Sequence, residues 1–457
     1  MIAAAPDATV QRIAVIGGGI SGLAAAYLLA PRHAVTLYEA APRLGGHART
    51  VMAGRQGTQP VDTGFIVFNY VNYPHLTRLF QQLDVPVAKS DMSFGATIDG
   101  GRIEYGLRNA GALFAQKRNL LRPGFIRMVR DILHFNRHAE SVACDDSTTI
   151  GDLMATLGLG DYFQRFYLMP MCGAIWSTAP AQIRAFPARA LVQFFRNHAL
   201  LSANGQHQWW TVEGGSIEYL RRLEHYLIRQ GTTLRTAAPV RLVRRGTEGV
   251  TLHSPGGSET FDQVVFACHA DQTLALLANP TEAERDILGA MRFQDNRMVL
   301  HRDSAQMPRN RKVWSSWVYR ADTRREEPAI GVTYWMNRLQ NIPDSDPLFV
   351  TLNPVEAIPE HLTYDETLFR HPLFDSPALA AQDRLNDIQG LNGTWFAGAC
   401  TRHGFHEDGF ASAVRIARMM DKGVRHDRNR PAGRCAHVAD VGQDGHAAQV
   451  ARAEQDA

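Results

Sequence analysis

The chain has 457 residues and a formal net charge of +3, and 45% of its residues are hydrophobic while 20% are charged. This balance is typical of a folded globular protein and excludes a disordered chain or a strongly basic nucleic-acid-binding protein. Apolar runs of about 18 residues are absent, which excludes a transmembrane helix. The five cysteines are far apart and odd in number, which argues against a disulfide framework or a metal site. With no signal-peptide pattern at the start, we expect a cytoplasmic protein.

The first predicted elements are a strand and a helix joined by glycines, in the sequence IAVIGGGISGLAAAYLL near the N-terminus. Gly17 permits a tight turn, Gly19 lets the main chain approach a pyrophosphate, and Gly22 lets the helix pack closely on the strand. The N–H groups at the start of the helix, at Ile20 and Ser21, face the anion with a favourable dipole. The pattern predicts a dinucleotide-binding turn, and the alternative is a glycine-rich turn without a ligand.

A second strand, Ala34–Tyr38, ends at Glu39, and Ala40 follows it. In dinucleotide-binding folds a carboxylate about 20 residues after the glycines accepts hydrogen bonds from the adenosine ribose. The same carboxylate repels a 2′-phosphate, so NADP is disfavoured. We therefore expect both residues to lie beside the adenosine.

The rest of the ordered chain contains helical and strand patterns separated by glycine-rich turns. Helical patterns occupy Tyr73–Leu83, 111–200, 214–231 and Phe410–Met420. Strand patterns occupy Val240–Arg244, Val250–His253, Phe261–Cys268 and Thr394–Ala397, with mixed strands and loops over 292–355. Ser216 is the predicted N-cap of the helix over 214–231, which Gly231 ends. Beyond Lys422 the chain is polar and aperiodic, and we expect 426–457 to be a disordered tail.

The N-terminal region resembles the flavin-containing amine oxidase and phytoene desaturase superfamily. Its E-x-x-x-R-x-G-G-[RH] motif corresponds here to Glu39, Arg43, Gly45, Gly46 and His47. In that superfamily the arginine and the paired glycines wrap the pyrophosphate and ribitol of FAD. A guanidinium complements a phosphate, and glycines allow close approach of the main chain. The resemblance therefore implies noncovalent FAD as the cofactor, since the cysteines lie in no context that resembles covalent flavin attachment.

Three later segments are similar to the same superfamily. GGSIEYL resembles its GG-x-x-x-L helix, and APVRLV resembles the strand that contacts adenine, which implies that the Val240 main chain lies there. TWFAGACTRHGFHEDGFASA resembles its C-terminal flavin segment, in which a strand ends near Gly398 and a helix N-terminus points at the flavin pyrimidine. Ala399 replaces the usual acid of that segment, so Glu407 or Asp408 is expected to take its role, with Phe410 also near the flavin.

The implied fold class is α/β, with a Rossmann-like FAD-binding domain of the GR2 type and an interleaved α+β substrate domain. The predicted FAD-binding segments are 9–80, 206–272 and 385–425, and the predicted substrate-binding segments are 81–205 and 273–384. A second G-x-G-x-x-G motif after a strand is absent. We therefore expect an organic substrate to reduce the flavin, and oxygen, a quinone or a carrier protein to reoxidise it.

The catalytic candidates come from the C-terminal flavin segment and from the VDTGF region. His406 and Glu407 are candidates for a proton acceptor or an orienting group. In the alternative interpretation Glu407 and Asp408 only cap the following helix and bind the ribityl chain. Tyr70 is a candidate lining residue of the flavin site, with packing as its alternative role. His269 is either a site residue or a hydrogen-bonded core histidine.

The substrate predictions depend on apolar segments and on a narrower resemblance. Residues 118–137 alternate arginines with apolar residues, a pattern typical of a helix on an anionic membrane or of a core helix with a basic outer face. MPMCGAIWS and QWWTV suit an apolar substrate, although either can be core. The amine oxidases' active-site lysine has no clear counterpart, since Lys312 is the only lysine of the middle region and a surface ion pair explains it better.

VDTGFIVFN, WSSWVY and GFHEDGF look most like flavoproteins associated with cyclopropane-fatty-acid-synthase-like methyltransferases. That resemblance implies dehydrogenation of a methylated or methylene-bearing fatty acyl chain on phospholipid, toward a conjugated diene precursor of furan fatty acids. It also implies a methyltransferase as functional partner, peripheral contact with the inner face of the membrane and no nucleic-acid partner. The alternatives are an amine oxidase or carotenoid-type desaturase, and a non-catalytic module of the Rab-GDI type, against which the intact glycine motif argues.

Overall fold

The computed structural model describes residues 10–143, 147–176, 183–197, 200–201, 207–324 and 329–422. The predicted disordered tail lies outside the described residues. The strands are, in chain order, β1 Arg12–Ile16, β2 Ala34–Tyr38, β3 Thr50–Ala53, β4 Gln59–Asp62, β5 Val67–Phe68, β6 Val87–Ser90, β7 Phe94–Ile98, β8 Ile103–Gly106, β9 Trp209–Val212, β10 Thr233–Arg235, β11 Leu242–Gly246, β12 Gly249–Ser254, β13 Gly257–Phe261, β14 Gln263–Phe266, β15 Phe293–His301, β16 Trp317–Asp322, β17 Ala329–Trp335, β18 Phe349–Leu352, β19 Thr363–Pro372 and β20 Thr394–Phe396.

The helices vary from single turns to twenty residues. They are, in chain order, α1 Ile20–Leu29, α2 Pro74–Gln82, α3 Ala110–Leu113, α4 Pro123–Val142, α5 Ile150–Thr156, α6 Asp161–Phe163, α7 Met169–Trp176, α8 Ala188–Asn197, α9 Ile217–Arg229, α10 Ala270–Leu276, α11 Glu282–Ala290, α12 Met336–Leu339, α13 Ser376–Arg384 and α14 His406–Asp421. Among the described residues, none of these helices combines the length and the apolar character that a bilayer-spanning helix needs.

A parallel five-stranded sheet carries the glycine turn. Its order is β10-β2-β1-β14-β20, and every pairing in it is parallel. In the central strand β1, Ile13, Ala14 and Val15 are completely buried. Helix α1 packs on one face of this sheet and the three-stranded sheet β11-β12-β13 packs on the other, which explains why β1 is a continuous apolar run instead of an alternating one. All five strands come from the three segments that the sequence assigns to FAD binding.

A seven-stranded mixed sheet forms most of the second part of the molecule. Its order is β19-β15-β18-β17-β16-β7-β8, in which only β16 and β7 pair in parallel. One face packs on the helices between α4 and α8 through a core that includes Phe94, Phe125, Phe135, Phe163 and Phe195. These strands and helices come from the predicted substrate-binding segments. The small sheet β5-β9-β6 joins strands from both sets of segments, and the domain boundaries stay a prediction.

Two predicted elements have different limits in the structure. The strand predicted over Phe261–Cys268 is two strands, β13 and β14, which belong to different sheets. The break lies at Asp262, whose N–H donates to the carbonyl of Arg12 and whose carboxylate accepts from the Arg12 N–H at 2.7 Å. The last helix begins at His406 instead of Phe410, because Asp408 caps it by accepting from the Phe405 N–H at 3.0 Å.

Ser216 occupies the predicted N-cap position of α9, but its side chain does not cap the helix. Its hydroxyl makes no capping bond and instead donates to the buried carboxylate of Asp62 at 2.7 Å. Asp62 also accepts from the Ser216 N–H at 2.9 Å and from the Thr50 hydroxyl at 2.6 Å. The N-terminus of α9 is therefore held by a carboxylate from a distant strand, which is favourable for the helix dipole.

Close packing of α1 on the glycine turn gives a test of the fold. A Cβ added at Gly22 would lie 1.8 Å from the carbonyl oxygen of Gly17. We therefore expect Gly22→Ala to lower the free energy of unfolding by about 3 kcal/mol, because the main chain must shift. In Gly289→Ala, also in a helix, the nearest atom is 3.9 Å away, and stability should be kept or raised by up to about 1 kcal/mol. Urea unfolding measures both, and equal stability of the two variants would contradict the close contact.

Candidate functional site

The carboxyl ends of the parallel strands open into one large cavity of about 1370 Å³. Its lining includes Ile16 at the end of β1 and Gly17 after it, Glu39 after β2, Ala267 after β14 and Gly398 after β20. Ligands of open parallel sheets bind at this edge. The volume exceeds the roughly 300–1,000 Å³ of an ordinary small-molecule pocket, so a dinucleotide and a second molecule have room in it.

The glycine turn exposes its main chain to this cavity. Gly17 has a φ of +112°, and a Cβ there would lie 2.7 Å from the carbonyl oxygen of Ala267. Gly19 has an ordinary φ of −76°, and an added Cβ would meet only the Gly46 Cα at 4.0 Å. A side chain at Gly19 would therefore project into open space without disturbing the fold. Ile20 and Ser21 also line the cavity.

Glu39 is fixed beside the turn by two main-chain hydrogen bonds. One carboxylate oxygen accepts from the Gly18 N–H at 2.5 Å and the other from the Ala41 N–H at 2.8 Å. Glu39 and Ala40 line the cavity, as does Val240, which precedes β11. Each carboxylate oxygen keeps a further lone pair, which suits the hydroxyl groups of a ribose.

The loop from Arg43 to His47 forms the facing wall. The Gly45 N–H donates to the carbonyl of Gly18 at 2.8 Å, which draws the loop onto the glycine turn. Arg43 donates to the carbonyl of Gly46 at 3.0 Å, and all four motif residues of the loop, including His47, line the cavity. A guanidinium held at the edge of main-chain N–H groups suits a pyrophosphate.

Three histidines from separate parts of the chain meet in this wall. The ring centroid of His47 lies 6.1 Å from that of His269 and 5.6 Å from that of His371. Burial lowers the pKa of all three, to about 4 for His269 and about 3 for His371, so the imidazoles are neutral near pH 7. His269 is thus a lining residue. No local sequence pattern indicated His371, which lies on β19.

Unpartnered polar atoms in this wall fit a bound dinucleotide. His47 donates to the main-chain carbonyl of Arg370, while its Nε2 is buried with no partner among the described residues. The Nδ1 atom of His269 is likewise buried with no hydrogen-bond partner among the described residues. Buried polar atoms without partners are costly unless a ligand or water completes them. Together with the open side of Gly19 and the fixed carboxylate of Glu39, they fit the FAD that the motifs predict.

His406 lies at the cavity, where a stacked ring and a hydrogen bond hold its imidazole. It is the first residue of α14, whose N-terminus faces the cavity together with Gly404 and Phe405. Its ring stacks on Phe65 with centroids 4.0 Å apart, and its Nε2 lies 2.8 Å from the Tyr219 hydroxyl. Burial lowers the pKa of His406 to about 3. The lowered pKa means that this imidazole is neutral near pH 7, and its role as a base or an orienting group stays a prediction.

Glu407 points away from the cavity. Its two carboxylate oxygens accept from the N–H groups of His75 at 2.9 Å and Leu76 at 3.0 Å, in the first turn of α2. Burial raises the pKa of Glu407 to about 8 in spite of these bonds. Glu407 therefore caps another helix, and both its catalytic and its cofactor-binding assignments are corrected. Asp408 caps α14 and also lies outside the cavity lining.

Two aromatic candidates also lie outside the lining. Phe410 packs edge-on against Tyr27, with ring centroids 6.4 Å apart. Tyr70 packs against Phe68 and Trp210 at 6.0 and 5.5 Å, so its assigned catalytic role is corrected to packing. Gly22 also lies outside the lining and permits the close packing of α1 on the glycine turn. Tyr73, which the sequence left unassigned, does line the cavity.

The other end of the cavity, between the two sheets, is apolar. Its lining includes Met92, Phe94, Leu107, Ile132, Leu133, Tyr167, Met171, Trp317 and Tyr334. Trp317 and Tyr334 meet edge-on, with centroids 5.2 Å apart, and pack against the cores of both halves. Among the described lining residues Glu39 is the only carboxylate, and it lies beside the glycine turn. The described lining of this end therefore offers burial, a few neutral polar groups and the cation Arg108, but no negative charge.

Comparisons with known proteins agree with this geometry. A model of the family described as flavin containing amine oxidoreductase matches residues 20–292, more than half of the chain. No curated protein sequence matches the chain at a significant level.

Solved structures share the fold at low sequence identity. A protein assigned as a protoporphyrinogen oxidase from Exiguobacterium sp. 255-15 is 18% identical, with a TM-score of 0.67 over 91% of this chain and 99% of that one. A fatty acid isomerase from P. acnes that produces CLA is 14% identical, with a TM-score of 0.65 over 89% and 98%. Cyclohexylamine oxidase from Brevibacterium oxydans IH-35A is 16% identical, with a TM-score of 0.63 over 90% and 100%.

The open side of Gly19 separates cofactor binding from folding. We expect Gly19→Leu to fold with nearly unchanged stability and to purify with little or no flavin, because the new side chain fills the position of the pyrophosphate. Gly256→Leu, in an exposed turn where the nearest atom is 3.7 Å away, is the matched control and should keep its flavin. Visible absorbance per mole of protein measures both. Full flavin content in folded Gly19→Leu would contradict the assigned cradle.

The position of Glu407 gives a test of its structural role. Because its folded pKa of about 8 lies above the ordinary value of 4.5, this carboxyl favours the folded state at low pH and loses that contribution as pH rises between these values. Glu407→Gln should therefore flatten the fall of stability between about pH 5 and pH 8, while exposed Glu248→Gln leaves it unchanged. Glu407→Ala should cost about 2 kcal/mol, because two helix N–H groups lose their acceptor. Thermal unfolding over this pH range checks these outcomes, and unchanged pH dependence in Glu407→Gln would contradict the assignment.

Proposed function

This chain belongs to the flavin-containing amine oxidoreductase family, and we propose that within this family it dehydrogenates a methylated or methylene-bearing fatty acyl chain of a phospholipid. It is an FAD-dependent oxidoreductase, as the family and its oxidase neighbours indicate. The proposed product is a conjugated diene that serves as a furan fatty acid precursor, and the proposed binding of FAD is noncovalent. The observation that carries the proposal is the apolar end of the cavity.

The lining of that end suits an acyl chain better than a charged substrate. The described lining residues there supply methionine, leucine and aromatic surface, and none of them is a carboxylate that would pair with an ammonium group. An acyl chain gains about 0.8 kcal/mol for each CH₂ that it buries. Binding energy therefore grows with chain length, and a chain held along the apolar wall is oriented without any charge at its reacting carbon.

The reaction removes two hydrogens from the substrate, one as a hydride and one as a proton. When bound, FAD supplies the hydride acceptor. The protein must orient the allylic carbon, exclude water and accept the proton. Besides His406, the polar side chains in the described lining of the apolar end include the hydroxyls of Tyr167, Tyr334 and Ser93, the amide of Asn136 and the guanidinium of Arg108. Proton transfer through one of these hydroxyls toward solvent is the simplest role that the lining supports.

Two further considerations support a lipid substrate. The fatty acid isomerase from P. acnes has the same fold, so the fold accommodates a fatty acid in at least one protein. The methylated or methylene-bearing form of the proposed substrate rests on the motifs that are similar to methyltransferase-associated flavoproteins. A methyltransferase that acts on unsaturated acyl chains is accordingly the proposed functional partner, and the inner face of the cytoplasmic membrane is the proposed location.

The substrate class is tested by anaerobic reduction of the bound flavin. We expect methylene-acyl phospholipid to bleach the flavin much faster than unbranched phospholipid, long chains to act faster than short ones, and amines to act slowly. Bleaching by amines and by no lipid would overturn the proposal in favour of an amine oxidase. Purified protein without any reducible flavin would favour the non-catalytic alternative.

A variant of the apolar end links this activity to the cavity. Met171 is buried and lines that end. Met171→Trp should keep its flavin yet slow the reduction by long acyl chains at least tenfold, because the added ring occupies the space of the chain. Met52→Trp makes the same change at an exposed position in β3 and should react at the wild-type rate. Stopped-flow absorbance gives both rates, and equal rates would exclude this end of the cavity as the acyl site.

A further inference from the structure

One surface of the protein exposes large apolar side chains next to arginines. Among the described residues nine large apolar side chains are exposed, and four of them, Leu120, Leu121, Ile126 and Leu133, lie within fourteen positions. Leu121 is 86% exposed and Leu133 is 56% exposed. Isolated exposed apolar residues are ordinary, but a cluster of this kind marks an interaction site.

Helix α4 has two distinct apolar faces. Phe125, Met128 and Phe135 are buried in the core of the substrate-binding part, which accounts for the core-facing interpretation of this segment. Ile126 and Leu133 belong to a second, exposed stripe that also carries Arg130 and Arg137. At 3.6 residues per turn these four positions lie within roughly 60° of one another around the helix. The core therefore explains only one of the two faces.

The charge of this surface is strongly one-sided. Residues 117–137 contain five arginines and one lysine, and Asp131 is their only carboxylate. Asp131 is buried, where it accepts from the Gly160 N–H at 2.8 Å. Arg130, Arg137 and Lys117 have no acidic partner within the described part of the chain. Unpaired cations beside exposed leucines complement an anionic surface with an apolar interior.

The same surface is continuous with the mouth of the cavity. Leu133 is exposed to solvent and also lines the cavity, and Ile132 and Asn136 line it from the adjacent side of α4. The exposed cation Arg108 also lines the cavity, as does its neighbour in sequence, Leu107. A molecule that leaves the exposed stripe therefore enters the apolar end without crossing open water.

We propose that this mouth surface, formed by Lys117, Leu120, Leu121, Ile126, Arg130, Leu133 and Arg137, docks on a bilayer of anionic phospholipid. The leucines and Ile126 enter the boundary between headgroups and acyl chains, while the cations contact the phosphates. An acyl chain then passes from the bilayer into the cavity beside Leu133. This route rests on the proposed function, since it supposes a phospholipid acyl substrate.

Vesicle sedimentation of the full-length holoprotein tests the docking. Wild-type protein should bind phosphatidylcholine vesicles that contain phosphatidylglycerol, bind pure phosphatidylcholine at least tenfold more weakly, and lose binding as salt increases. Arg130→Gln/Arg137→Gln should weaken binding by roughly fivefold for each arginine. Leu120→Ser/Leu121→Ser should weaken it by about tenfold or more through the lost apolar burial.

Matched controls keep the test specific. Ile228→Ser removes an apolar side chain that is 57% exposed on α9, and Arg285→Gln removes an exposed cation on α11. Both controls should bind vesicles as the wild type does. Equal binding by all variants would overturn the proposal, and so would self-association of a wild type that ignores vesicles, since the surface would then cover a second copy.

Flavin reduction in the same samples separates this inference from the proposed function. In Arg130→Gln/Arg137→Gln and in Leu120→Ser/Leu121→Ser, the flavin should be reduced slowly by substrate in vesicles. Detergent-solubilised substrate should reduce it at the wild-type rate. If solubilised lipid rapidly reduces the flavin of the wild-type protein but this protein does not bind vesicles, only the docking proposal is contradicted. Vesicle binding without reduction by any lipid would contradict the proposed function alone.

Discussion

The structure depends on main-chain segments that approach each other more closely than side chains would allow. A Cβ at Gly22 would lie 1.8 Å from the carbonyl of Gly17, and one at Gly64 would lie 2.0 Å from the carbonyl of His47. At the same place the Gly45 N–H donates to the carbonyl of Gly18. These contacts bring α1, the glycine turn and the following loop into one wall, whose N–H groups and helix dipole then favour an anion.

Buried carboxylates hold the elements around that wall. Glu407 joins the N-terminal turn of α14 to that of α2, and Asp62 joins β4 to the start of α9. Burial raises the pKa of both, to about 8 and about 6, although hydrogen bonds oppose the rise. Glu407 thus fixes α14, whose N-terminus faces the cavity, without lining the cavity itself. A perturbed carboxyl pKa near a cavity is therefore no sufficient sign of catalysis.

The residues predicted for the glycine turn lie together at the cavity, whereas two of the three predicted catalytic residues, Glu407 and Tyr70, lie outside its lining, for a physical reason. Gly17, Gly19 and Glu39 act through local main-chain geometry, which their spacing along the chain already encodes. His371 reaches the same wall from β19, and only the pairing of distant strands brings it there. The sequence shows that His406 and Glu407 are titratable residues. The orientation of their side chains is set by contacts with Tyr219 and with α2, which no local sequence pattern indicates. The split of the strand at Asp262 was missed for the same reason.

The cavity divides two kinds of binding between its ends. At the nucleotide end polar atoms are abundant, and some, such as Nε2 of His47, have no partner within the described residues. At the other end Trp317 and Tyr334 join the cores of both halves, and the described lining carries no negative charge. An apolar end of this kind gains little from a dissolved lipid, because such chains are nearly absent from water. Its burial energy becomes useful only if the chain is delivered from an apolar phase, and Leu133, exposed at the mouth beside arginines, lies where that delivery would occur.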